Sequence, residues 1–161
     1  MKVIRHIAAG LFVVNMILSL AACGNNDNTE QTVVMRYENA EDGFSMTDTV
    51  TLTSLGDTLQ SEKGVAEFDI SSLDEQEKAE LIAIMHSEYA SYYGDSDAAS
   101  FEDTATDTTY TINYSVDFTG DWNALAESGV IDMETYESDD NYVSLEKTIQ
   151  SLQVEGYKPI E

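Results

Sequence analysis

Positive charge, cysteine and histidine are all scarce in this chain, and each scarcity closes off some chemistry. Seven lysines and arginines face 31 aspartates and glutamates, for a formal net charge of −24. Nucleic-acid binding relies on Lys and Arg to neutralise phosphates, so this balance argues against a nucleic-acid partner. It also opposes lying flat on an anionic membrane surface. Solubility, cation binding or a basic partner remain. The single cysteine, Cys23, rules out an intramolecular disulfide. His6 and His86 are too few for a His-rich zinc site. No Gly-x-x-x-x-Gly-Lys loop, Gly-x-Gly-x-x-Gly or Gly-x-Ser-x-Gly elbow occurs. Nucleotide binding and serine hydrolysis therefore have no sequence support.

What is present begins at the N-terminus. Lys2 and Arg5 precede an apolar stretch over residues 7–18 with one polar member, Asn15. Leu20-Ala21-Ala22 then leads to Cys23 and Gly24. A stretch that short with those flanks reads as an export signal, not a membrane span. Leu20-Ala21-Ala22-Cys23 looks like the lipobox of bacterial lipoproteins, in which the cysteine becomes the lipid-bearing first residue. The expected organisation is a cleaved signal peptide over residues 1–22, a lipidated cysteine and flexible tether over 23–31, and one domain over 32–161. Two acyl groups on Cys23 would hold the membrane stably, since each buried methylene contributes about 0.8 kcal/mol. Acylation would also exclude cysteine catalysis and thiolate metal sites, and cleavage would remove His6 with both basic residues of the leader.

Beyond the polar run 24–29, apolar periodicity organises the chain. Val33, Met35 and Tyr37 alternate, the period of a half-buried strand. A turn is expected over 39–43. Phe44, Met46, Val50 and Leu52 share one parity, with threonines 47, 49, 51 and 53 on the other, giving a second strand with a Thr-rich face. Gly56-Asp57 predicts a hairpin turn. Residues 58–70 change parity, and Gly64 is expected to mark a bulge there. Ser72 with Glu75 predicts a capping box opening a helix. Leu81, Ile82, Met85, Tyr89 and Tyr92 form its apolar face, and Gly94 is its expected stop. Residues 95–103 read as an acidic loop. Tyr110, Ile112, Tyr114, Val116 and Phe118 alternate cleanly with polar residues and predict a further strand. A helical turn is expected over 122–127. Residues 138–141 offer N-caps for a last helix carrying Tyr142, Leu145, Ile149 and Leu152, which Gly156 ends before a short strand over 157–160. The expected architecture is an α+β two-layer sandwich: an antiparallel sheet of about four to five strands with two main helices packed on one face.

From Val33 onward this order of elements resembles the YehR-like family of bacterial lipoproteins. The residues that carry the resemblance are Asp117-Phe118 closing a strand, Asn123-Ala124-Leu125 after it, and the helix running into Gly156-Tyr157-Lys158. The Gly56-Asp57 hairpin and the helix before the acidic loop also fit. The resemblance implies a single two-layer α+β domain. It implies no activity and no site residues.

Carboxylates are the abundant chemical resource. Asp95, Asp97, Glu102 and Asp103, with Asp107 nearby, are candidate metal ligands, since calcium takes six to eight oxygens. The Asp-x-Asp start is that of a calcium loop, but Ala99, Ser100 and Thr106 depart from the EF-hand pattern. Glu137, Asp139 and Asp140 form a second cluster. His86 reads as a boundary residue of the first helix. Tyr93 and Trp122 are candidates for exposed contacts. The expectation is a non-enzymatic lipoprotein without cofactor. It would be anchored through lipid on Cys23 on the extracytoplasmic side of a bacterial cell membrane. As a monomer it would bind an envelope component through its Thr-rich strand or its acidic loop. The alternative is cation (calcium) or small-ligand capture by the acidic loops.

Overall fold

A computed structural model describes residues 29–41, 44–94, 97–120, 125, 127, 129–130 and 142–160. Among these residues the elements are β1 (Glu30–Glu41), β2 (Phe44–Leu55), β3 (Thr58–Asp69), α1 (Glu75–Tyr93), β4 (Ala99–Ala105), β5 (Thr109–Asp117), α2 (Leu145–Val154) and β6 (Lys158–Pro159). The strands form one open sheet in the order β4-β5-β3-β2-β1-β6. Every neighbouring pair is antiparallel. The fold is thus α+β, with six strands where about four to five were expected. Both helices bury apolar side chains in one core with the inward sheet residues, including Met35, Val50, Phe68, Ile112 and Val116.

The extra strand is β4, which occupies much of the expected acidic loop. Its sequence, Ala-Ser-Phe-Glu-Asp-Thr-Ala, has little apolar signal. It is an edge strand whose backbone pairs with β5, from Ala99↔Val116 to Ala105↔Tyr110. Backbone pairing likewise extends β1 beyond its apolar pattern. Glu30 and Gln31, expected in the tether, pair with Leu55 and Ser54, and Asn39 and Ala40, expected in a turn, pair with Met46 and Ser45.

The parity change in β3 is real, but it does not lie at Gly64. The register shifts where Thr53 faces Ser61 and Ser54 faces Leu59, leaving Gln60 as the extra residue. Its carbonyl accepts from Phe118 N at 2.9 Å. After this bulge the inward positions are 62, 64, 66 and 68, so Glu62 turns into the core and Val65 faces out.

Caps also differ from the expected ones. Asp74, not Ser72, is the N-cap of α1, accepting from Gln76 N and Glu77 N at 2.9 Å each. Glu77 returns the bond to Asp74 N and completes the capping box. Leu81, Met85 and Tyr89 are the buried stripe of this helix. Gly94 ends it at φ −86°, with no left-handed turn. Ser144, rather than a residue of 138–141, caps α2. The hairpin tip assists: Asp57 accepts from Ser144 Oγ at 2.7 Å and from Glu146 N at 2.8 Å. A carboxylate there also suits the positive end of the helix dipole. The other end of α2 is a Schellman turn. Gly156 N donates to Gln153 O and Tyr157 N to Leu152 O, with Gly156 at φ 102°. A side chain at that φ would be strained, which gives Gly156 its role.

Candidate functional site

Period two dictates what enters the core from a strand, and in two places it brings a carboxylate. Asp48 lies on the inward parity of β2 between Met46 and Val50, and Glu62 on the inward parity of β3 beyond the bulge. Asp48 is 3% exposed and Glu62 is 0% exposed. Charged groups are almost never so buried unless paired.

Asp48 is partnered by tyrosine hydroxyls. Tyr157 Oη donates to Oδ2 at 2.7 Å, and Tyr114 Oη donates at 3.0 Å to the same oxygen. Tyr157 is placed by the turn at Gly156. Tyr114 is placed by Gly64, its cross-strand partner in β3. A Cβ on Gly64 would overlap the Tyr114 ring, so the glycine lets that ring lie flat across β3 and reach Asp48 in β2. Close approach, not a bulge, is what this glycine provides. Tyr89 and Tyr93 of α1 extend the aromatic wall, with ring centroids 5.5 and 5.1 Å from that of Tyr114. Tyr37 closes on Tyr157 at 5.5 Å.

Glu62 has no partner for either carboxylate oxygen, and Oε2 of Glu155, the C-cap of α2, is also buried without one. Burial, then repulsion by Asp48 and Glu155, pushes the Glu62 carboxyl up to about 8. Burial raises Asp48 to about 6 against the opposing pull of its Tyr157 and Tyr114 hydrogen bonds. Burial alone raises Glu155 to about 7. The same burial and the nearby carboxylates drive the Tyr93 and Tyr114 phenols well above their ordinary value. Among the described residues, no lysine, arginine or histidine acts on any of the three carboxylates. The centre is therefore anionic, oxygen-rich and walled by aromatic rings. It can store protons or receive a cation, but it presents no activated nucleophile.

Of the residues expected to bind metal, Asp97, Glu102 and Asp103 are described, and they lie outside this centre. Cys23, Trp122, Asp95, Glu137, Asp139 and Asp140 fall outside the described residues. Asp97 is in the turn before β4, while Glu102 and Asp103 are neighbours on β4, where side chains alternate between faces. Asp103 is engaged by Tyr110 Oη at 2.6 Å and by His86 Nδ1 at 2.9 Å. These bonds, the tyrosine's foremost, hold its carboxyl below the usual range. Among the described residues, no three His, Cys, Asp or Glu side chains are grouped to hold a metal ion. His86, expected as a boundary residue, sits half-exposed beside Asp103 and edge-on to Phe101. Tyr93, expected as an exposed contact, instead packs on the core, while Tyr92, expected in the core stripe, does not join it.

Sequence reasoning missed Asp48 and Glu62. Asp48 had a signal: an acid in the apolar register of β2. Glu62 was hidden by the misplaced bulge.

No protein-family model matches the chain. No curated protein matches it in sequence. Among solved structures, the NMR structure of the E. coli YehR protein aligns at TM-score 0.56 and 17% identity, covering 83% of this chain and 92% of that one. An NMR structure of a protein from Streptococcus pneumoniae TIGR4 aligns at TM-score 0.47 and 18% identity, covering 91% and 94%. At such identity the likeness to YehR is one of fold, and the chain carries a YehR-like α+β fold.

Proposed function

We propose that this chain is a lipoprotein, anchored through acylated Cys23 on the extracytoplasmic side of a bacterial membrane, whose domain binds rather than transforms its target. The observation that carries the reading is the order of Lys2 and Arg5, the apolar run 7–18, and Leu20-Ala21-Ala22-Cys23. The short distance from Cys23 to β1, which opens at Glu30, supports it, because it would keep the domain close to the bilayer. A binding role is supported by the nature of the buried site. Its groups are buried carboxylates and phenols, and the half-exposed His86 is engaged by a carboxylate instead of a hydroxyl nucleophile.

The test is metabolic labelling with palmitate followed by membrane fractionation, in wild type and Cys23→Ser. Label and membrane association in the wild type, both lost in the variant, would sustain the anchor. Unlabelled wild-type protein in the soluble fraction would overturn it.

A further inference from the structure

Among the described residues three acids enter or border the core, and no basic group is among the influences on them. Arg36 is on the outer sheet face with Thr49 and Glu38, and Lys78 pairs with Glu75 on α1. Lys63 and Lys158 are exposed, and Lys147 lies part-buried in the first turn of α2, at the opposite end of that helix from Glu155. Residues 121–141 contain no lysine, arginine or histidine. A carboxylate removed from water with neither hydrogen-bond donor nor counter-charge costs several kcal/mol. The fold nevertheless keeps Glu62 fully buried with both oxygens bare.

The unmet acceptors are specific. They are Oε1 and Oε2 of Glu62 and Oε2 of Glu155. Asp48 is a different case, since two tyrosine hydroxyls already satisfy it. A second feature points the same way. Glu155 caps the C-terminus of α2, the negative end of the helix dipole, and the last turn of that helix has no basic residue. Glu155 is partly exposed, whereas Glu62 is fully buried, and their like charges repel. Tyr93 of α1 and Tyr114 of β5 pack ring against ring within the field of Glu62, and aromatic faces attract cations.

We propose that Glu62 and Glu155 form the binding site for a primary ammonium group, the head of a small organic amine, walled by Tyr93, Tyr114 and Tyr157. A primary ammonium brings three N–H donors and one positive charge. The site offers three bare acceptors and an uncompensated negative field. A quaternary ammonium has the charge but no donors, and would leave the acceptors unmet. A calcium ion needs six to eight oxygens, and no such group is assembled among the described residues. The site stands whether or not Cys23 is acylated, so the anchor and the amine site can fail separately.

The experiment follows the melting temperature of the full-length protein in detergent at pH 8.5. The probes are methylammonium, tetramethylammonium and calcium, each as the chloride, against a sodium chloride control. Methylammonium is expected to give a saturable rise, because a ligand of the folded state stabilises it. Tetramethylammonium and calcium should match sodium. Glu62→Gln should weaken the apparent methylammonium affinity about tenfold or more, the loss of one charge-assisted contact. Glu146→Gln, on the exposed side of α2, should leave it unchanged. If Glu62→Gln does not melt cooperatively, the Glu62 carboxyl carbon resonance of the wild type gives the same answer, by moving saturably with methylammonium. The proposal is overturned by a flat methylammonium response, by an equal response to tetramethylammonium, by a response to calcium alone, or by an undiminished response in Glu62→Gln.

Discussion

Among the described residues, two groups of acids obey opposite electrostatics. Toward the surface, three carboxylates have donors within reach. Asp69 accepts from Ser71 N at 2.9 Å, Asp117 from Thr119 N at 2.9 Å and Thr119 Oγ1 at 2.6 Å, and Asp103 from Tyr110 and His86. Hydrogen bonds to the ionised form hold these three below the usual carboxylate range. In the core the order reverses. Asp48, Glu62 and Glu155 are all raised, with burial the leading cause in each. The contrast teaches that the chain's large negative charge is not one property. Among the described residues most acids face solvent, while a few are placed where charge is penalised.

The largest expected effect comes from removing the penalised charge. A raised acid stabilises the fold while it remains protonated there, and that contribution is lost as pH rises through the folded value. For Glu62 the window runs from its ordinary 4.5 to about 8. In the absence of amine, wild-type stability should therefore decline from about pH 5 to pH 8 in chemical denaturation, the direction that linkage gives for this shift. Glu62→Gln should flatten that decline and gain on the order of 3 kcal/mol at pH 9, with little change at pH 5. A wild type that gains stability from pH 5 to 8 would erase the distinction between the two groups. The surface acids work in the other direction, since their contribution is present above the ordinary carboxylate range and is lost as pH falls.

A somewhat smaller effect should follow Gly64→Ala, which breaks the core arrangement without touching a charge. The added methyl meets the Tyr114 ring, so the ring must leave Asp48. Overpacking of this kind costs about 1–3 kcal/mol, and the loss should be accompanied by a changed tyrosine near-ultraviolet circular dichroism signal. An unaltered signal and stability would show that the ring does not need that approach.

The smallest effect sharpens the contrast from the surface side. Asp57→Ala removes the acceptor for Ser144 Oγ and Glu146 N at the start of α2. Loss of such a cap costs about 1 kcal/mol. Hydrogen exchange should quicken in the first turn of α2 and not in α1. Equal acceleration in both helices would mean that the hairpin supports the whole fold and not one helix end.

Much of the scaffold was legible because apolar alternation is a local record of burial. The inward register of β2 and β5 and the Leu81, Met85, Tyr89 stripe of α1 follow directly from spacing. Element ends were less legible, since Asp74 and Ser144 each had nearby residues of equal capping propensity. β4 was not legible at all. An edge strand with one large apolar residue takes its conformation from the pairing that β5 offers. Side-chain pattern therefore says little about it.

By itself, then, the sequence determined the class of the fold, the helix-covered sheet face and the acidic surplus, because each depends on composition or on contacts within a few residues. Tertiary structure alone decided where two of those acids would go. Asp48 and Glu62 lie in different strands, and their burial, the tyrosines around Asp48 and the bare oxygens of Glu62 come from elements distant in sequence. The bulge at Gln60 turned Glu62 inward, and the turn at Gly156 set Tyr157 against Asp48. Desolvation is a property of the packed assembly, and no local pattern records it.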